Sequence, residues 1–188
     1  MRGSKATRVR DLAPIALAFL MGCGSSPAAT AAPKAPPMVT ASPPDSAKRV
    51  DFSFTDLNGK EVSTSSVHGR VTVVAFIATY DVASQAQTRF LSEIDHEHTP
   101  RLNVFALVLE SPENKPLADA FASALKIPYA LCMADEATIK GEGAFTGLGQ
   151  VPSIVILDKE GRERYRHLGF IPKVELEAAI RVVEGEKK

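Results

Sequence analysis

From residue 50 onward the apolar positions form two patterns: short unbroken runs, and rows spaced three or four residues apart. Three runs are apolar on both faces, at residues 71–78 (VTVVAFIA), 102–109 (LNVFALVL) and 153–157 (SIVIL). Such runs suit central strands of a sheet covered on both sides. After the first run, Val82, Ala86, Phe90 and Ile94 form an i+4 row with Leu91 beside it. This row predicts a helix over 82–97. Leu117, Phe121 and Leu125 predict a second helix over 116–126, and Leu176, Ile180 and Val183 a third over 173–184. Residues 129–134 read as a short extended piece and 136–141 as a helical turn or two. Upstream, Phe52 and Phe54 alternate with polar neighbours, and Asp56-Leu57-Asn58-Gly59-Lys60 is a hairpin signal with Val62 on the returning strand. Asn-Gly suits a tight turn because both residues tolerate positive φ. Downstream, Asp158-Lys159-Glu160-Gly161 turns the chain into 162–168, a segment charged enough to protect a sheet edge. The order ββ-β-α-β-α-(β/α)-β-β-α predicts an α/β domain, with a central mixed sheet flanked by helices and an N-terminal β-hairpin.

Before residue 50 neither pattern holds. Arg2, Lys5, Arg8 and Arg10 precede a mostly apolar run, residues 12–21, that is broken by Pro14. A run of this length is short of the roughly 20 residues a membrane-spanning helix needs, and it suits the h-region of a signal peptide. It ends in Leu20-Met21-Gly22-Cys23. That tetrapeptide resembles the bacterial lipobox, in which cleavage exposes a cysteine that carries a diacylglycerol thioether. Residues 24–49 are rich in Pro, Ala, Ser and Thr and cannot bury enough surface to offset their ordering entropy. The division is therefore 1–22 signal peptide, 23–49 lipidated Cys23 and tether, and 50–188 folded domain. By this reading the protein belongs to the bacterial cell envelope, held on a membrane through Cys23. Gly24 stands where enterobacteria use Asp as an inner-membrane retention signal, so the analogy points to the outer membrane with the domain facing the periplasm.

Charge adds an exclusion. The 22 Lys+Arg balance 22 Asp+Glu, and cleavage before Cys23 leaves 18 basic and 21 acidic residues, net −3. A nucleic-acid partner held by global charge is excluded, and the anchor is lipid rather than a polybasic patch. Two cysteines cannot build a disulfide framework or a four-cysteine zinc site. With Cys23 acylated, Cys132 is the one remaining thiol.

The stretch FSFTDLNGKEVSTSSVHGRVTVVAFIATY, residues 52–80, resembles the start of extracytoplasmic thioredoxin-like proteins of the TlpA and redoxin (AhpC/TSA-related) type. There a D-x-x-G-K hairpin precedes G-K-x-V-V-V-x-F-W-A-T-W-C-x-x-C. Farther on, GLGQVPSIVILDKEGRERYRHLG resembles the family's segment around its cis-proline, which places Pro152 at that position. The resemblance covers residues 50–184 and implies a thioredoxin-like fold. It also implies where the chain departs from the family. Tyr80 stands at the family's Trp, and Asp81-Val82-Ala83-Ser84 replaces Cys-x-x-Cys. Thiol exchange needs a thiolate at the helix N-terminus and a second thiol one turn on, and neither Asp81 nor Ser84 supplies one.

Several readings stay open at this point. Asp81 and Ser84 are a helix cap, part of a polar recognition groove with Tyr80, or, for Asp81, a catalytic group. Cys132, in YALCMAD, is a small core side chain or a reactive thiol with an external resolving partner. His96 and His98, i and i+2 at a helix end, point to different faces and complement the dipole rather than share a metal. Asp95, Glu97, Glu110 and Glu113 read as solvated surface, and neither a metal nor a cofactor is expected. Two functions compete. One is a redox-inactive, membrane-anchored binding module in which Tyr80, Asp81, Ser84, Val151 and Pro152 form a groove, and the Val151 main chain pairs with an extended partner polypeptide. The other is a thiol-disulfide oxidoreductase or peroxiredoxin-like enzyme acting through Cys132.

Overall fold

The computed structural model describes residues 49–185. The signal peptide at 1–22, the lipidated Cys23 and the tether up to residue 48 lie outside the described residues.

The domain opens with a small antiparallel hairpin of β1 (Ser53–Thr55) and β2 (Glu61–Ser63). Its turn is stabilised by Asp56, whose Oδ1 accepts from the N–H groups of Asn58 and Lys60 at 2.9 and 2.8 Å. Gly59 takes the positive φ of 85° that the turn demands. A four-residue helix, α1 (Thr64–Val67), follows. The sequence pattern did not signal it, because a single turn leaves no periodic row.

The main sheet has five strands in the order β5-β4-β3-β6-β7. They are β3 (Val71–Ile77), β4 (Leu102–Val108), β5 (Ala130–Met133), β6 (Ser153–Leu157) and β7 (Glu163–Leu168). β3 pairs parallel to β4, β4 parallel to β5, and β6 lies antiparallel between β3 and β7. The three apolar runs are thus the three central strands, and the charged segment is an edge, as their composition predicts. Helices α2 (Val82–His98), α3 (Lys115–Leu125), the single-turn α4 (Glu136–Ile139) and α5 (Lys173–Glu184) complete the chain.

Side-chain alternation splits the core across the sheet. Val71, Val73, Ala75 and Ile77 of β3 join Leu91 and Ile94 of α2, Phe121 of α3, and Leu176 and Ile180 of α5. Val74 and Phe76 face the other way, into Phe52, Phe54, Phe105, Cys132, Phe145 and Leu148. Phe145 and Leu148 lie in a loop segment that gives no periodic signal, yet both are fully buried.

Two helix faces differ from their sequence reading. α2 buries Ser84, Gln87, Thr88, Leu91 and Ile94, while Val82 is 77% exposed. The inward face is therefore partly polar, and apolarity alone picks the wrong row over the first two turns. In α3 the buried residues are Ala118 and Phe121, and Leu117 is exposed.

Candidate functional site

Strand pairing fixes which loops meet. Phe76 near the end of β3 pairs with Ser153 at the start of β6, and Ser153 pairs in turn with Leu168 at the end of β7. The Ala78–Asp81 turn, the Val151–Pro152 peptide and the loop after β7 therefore gather at one end of the sheet. Val151–Pro152 is cis, as the family resemblance implies. The Pro152 carbonyl accepts from Gly169 N–H at 2.8 Å, which ties this loop to the end of β7.

Asp81 is the N-cap of α2. Its Oδ2 accepts from the Ser84 N–H and from the Ser84 hydroxyl, both at 2.7 Å. The Ser84 Oγ in turn accepts from Ala78 N–H at 3.2 Å. The helix start is closed by its own side chains: one orphan N–H is satisfied and the carboxylate sits at the positive end of the dipole. Ser84 is fully buried. It acts on any surface here through Asp81, not by touching a ligand.

Glu110 was read from sequence as solvated, and the structure corrects this: it is 6% exposed. It lies just beyond β4, where its Oε1 accepts from the N–H and the hydroxyl of Thr79 at 2.6 and 2.8 Å. Its Oε2 accepts from Asn114 Nδ2 at 3.0 Å. A buried carboxylate thus holds the turn that presents Tyr80 and Asp81. The available signal was its place directly after an apolar strand, at the carboxyl end of a sheet where open α/β folds place their sites. The pattern assigned no partner.

Apolar side chains are exposed around this frame: Tyr80 is 75% exposed, and Val82, Leu168 and Phe170 are exposed as well. Phe170 packs on Phe90 with ring centroids 5.6 Å apart. The loop that carries it is pinned where Ile171 N–H donates to Gln87 Oε1 at 2.9 Å. Among the described residues, neither the N–H nor the carbonyl of Val151 has a hydrogen-bond partner.

Cys132 is elsewhere. It lies on β5, in the core layer on the face opposite α2. It is fully buried, and burial pushes its thiol up to about 12, helped by the nearby charge of Asp56. At neutral pH it is a protonated core side chain.

Two other features lie outside this site. Ligand atoms of Glu97, His98 and Glu177 lie within 4.8 Å of one another. The Lys173 ammonium already sits among these carboxylates, at 2.7 Å from Glu97, 3.0 Å from Glu93 and 3.8 Å from Glu177. A metal ion would have to displace it. His96 and His98 both belong to the last turn of α2. A concavity of about 510 Å³ lies far from Asp81, between the hairpin turn and the start of β4, with Asp56, Lys60, Arg70, Asp95 and Asn103 in its polar wall. It brings none of the candidate residues together.

No protein-family model matches the chain, and a search of curated proteins finds no match. Solved structures do match. A putative thiol:disulfide interchange protein DsbE from Chlorobium tepidum superposes with a TM-score of 0.62 at 18% identity, over 73% of this chain and 96% of that one. A secreted thiol-disulfide isomerase from Corynebacterium glutamicum gives 0.67 at 15% identity, over 81% and 96%. The pneumococcal exposed lipoprotein thioredoxin from Streptococcus pneumoniae gives 0.61 at 18% identity, over 70% and 98%. These likenesses and the strand order establish an α/β, thioredoxin-like fold.

Proposed function

We propose that this chain is a membrane-anchored, extracytoplasmic thioredoxin-fold protein that performs no thiol-disulfide exchange and binds an extended segment of a partner polypeptide. The observation that carries the reading is the closed cap at the start of α2. At the two positions where redox-active relatives bear thiols, Asp81 and Ser84 satisfy each other and the helix end. A carboxylate and an alcohol cannot exchange disulfides, and the remaining thiol, on Cys132, is buried and protonated.

Beside the cap lie the elements of a docking groove. The unpaired Val151 main chain can add a strand-like pair to an extended peptide, which needs no cysteine. Exposed Tyr80, Val82 and Phe170 offer apolar surface for alternate side chains of that peptide. Pro152 is buried and shapes the groove from below.

Anchoring rests on Leu20-Met21-Gly22-Cys23 and the tether that follows. An extracytoplasmic location agrees with two of the fold's neighbours, which are described as secreted and as an exposed lipoprotein. Among the described residues no helix is long and apolar enough to cross a membrane.

The test is turnover of insulin disulfides with a thiol reductant. The wild-type chain shows none, and Cys132→Ser changes nothing. Asp81→Cys with Ser84→Cys puts a thiol at the N-cap and another one turn on, and gains measurable activity. Wild-type turnover that vanishes with Cys132→Ser overturns the binding reading in favour of a one-cysteine enzyme.

A further inference from the structure

The far end of the sheet from Asp81 has its own chemistry. β3 and β4 begin there, and β6 turns into β7 there. The first described residues enter at the same place: Arg49 bridges to Arg162, and Val50 N–H donates to the Gly161 carbonyl at 2.9 Å. Whatever precedes residue 49 therefore reaches the domain at the end opposite the groove.

Four segments of the chain meet here and bring Arg49, Arg70, Arg101 and Lys159, beside Arg162, which shares the β6–β7 turn with Lys159. The first four are exposed, and among the described residues none of them has an acidic partner. Arg70 reaches only the Pro100 carbonyl, at 3.0 Å. Arg101 and Lys159 line a concavity of about 350 Å³ with Gly69, Val71 and the acidic Glu184. Of the other acids here, Asp158 and Glu160 are paired with Arg162 at 2.9 and 3.1 Å, and exposed Asp51, two residues beyond Arg49, accepts from the Thr64 hydroxyl at 3.4 Å, so the five cations exceed the four acids by one. The end is locally cationic although residues 49–185 carry 14 basic and 19 acidic residues.

That contrast is informative. At physiological salt a surface feels charges only within about 8 Å, so a flat anionic layer meeting this end senses the cations and not the net negative domain. Attachment at Cys23, as read above, does not by itself fix which end of the domain faces the membrane.

We propose that this end is a contact surface for anionic phospholipid headgroups, with a headgroup phosphate held between Arg101 and Lys159. The contact stands the domain on the membrane with the Tyr80–Val151 groove facing away, open to a partner. The proposal rests on the anchored reading above and gives that anchor a second, electrostatic signal, which a single attachment needs for a fixed pose.

The test uses residues 23–188 carrying Cys23→Ser, so that no acyl chain contributes, in co-sedimentation with vesicles. Binding is expected to phosphatidylglycerol mixed with phosphatidylcholine, not to phosphatidylcholine alone, and is lost at about 0.5 M salt. Arg101→Glu with Lys159→Glu breaks no hydrogen bond and weakens binding at least about ten-fold, at roughly five-fold per charge near the surface. Lys115→Glu with Lys140→Glu, the same charge change toward the groove end, leaves binding intact. Equal binding to both vesicle types, no binding, or equal losses in the two double variants would overturn the proposal. The intact mass of the wild-type chain separately reports acylation of Cys23, so failure of the anchor and failure of the contact surface are distinguishable.

Discussion

Replacing Asp81 with alanine removes two hydrogen bonds at one stroke. The first caps α2: Ser84 N–H loses its acceptor at 2.7 Å. Loss of an Asp cap costs about 1 kcal/mol. The second strands the Ser84 hydroxyl, which is fully buried and has Asp81 Oδ2 as its acceptor. A buried donor left unsatisfied costs about 1–3 kcal/mol, and reorientation of a small hydroxyl recovers part of that. The expected total is about 2 kcal/mol. With an ordinary urea dependence the unfolding midpoint falls by about 1 M at unchanged slope. Asp81→Asn keeps one carbonyl oxygen in the place of Oδ2 to accept both bonds and ranks with Asp as a cap, so it loses only the charge–dipole attraction, about 0.3–1 kcal/mol. Ser84→Ala placed on Asp81→Ala adds less than it costs alone, with about 1 kcal/mol of coupling between the two sites. The measurement is equilibrium urea unfolding of wild type, the three single variants and the double variant. An Asp81→Ala cost below about 0.5 kcal/mol, or an Asn variant as unstable as the Ala variant, would refute the cap as the reason Asp stands here.

Two further outcomes follow from the geometry and one from the sequence. Glu110→Ala unpins Thr79 and costs about 2 kcal/mol, while Glu110→Gln, which still accepts from Thr79, costs less than half of that; amide exchange at Thr79 and Tyr80 reports the loosening. The Cys132 thiol is raised from 9.0 to about 12, so the folded chain holds this proton more tightly than the unfolded chain does. Its contribution to stability is fully present below about pH 9 and is lost as pH rises towards 12, and Cys132→Ala flattens that slope in urea titrations. Burial raises Tyr129 in the same direction, and Tyr129→Phe removes a further part of the alkaline loss. Cys23→Ser abolishes lipidation and releases the chain from the membrane fraction, read by intact mass and fractionation; attachment that survives the substitution overturns the lipobox reading.

Much of the architecture was legible because it depends on local rules. Unbroken apolar runs mark central strands, since a strand covered on both faces has no polar side to show. The three runs became β3, β4 and β6, and the charged segment became edge strand β7. The Asp56–Lys60 turn was readable because few residues tolerate its backbone angles. The departure from the Cys-x-x-Cys pattern that the family resemblance implies was readable because Asp81 and Ser84 sit at a fixed spacing after a recognisable strand. What the sequence left open depends on groups far apart in the chain. Glu110 looked like surface because its partner Thr79 is 31 positions away, and only the β3–β4 pairing makes a buried carboxylate tolerable there. The inward face of α2 escapes an apolar pattern because Ser84 and Gln87 are polar; bonds to Asp81 and to Ile171, 84 positions from Gln87, compensate part of their burial, and Gln87 Nε2 has no partner among the described residues. Cys132 could have been core or nucleophile. The structure buries it behind the sheet, where desolvation, which no local pattern records, disfavours the thiolate. The cationic end was likewise invisible. Its charges lie on four separate segments of the chain, and only the strand order turns them to the same side.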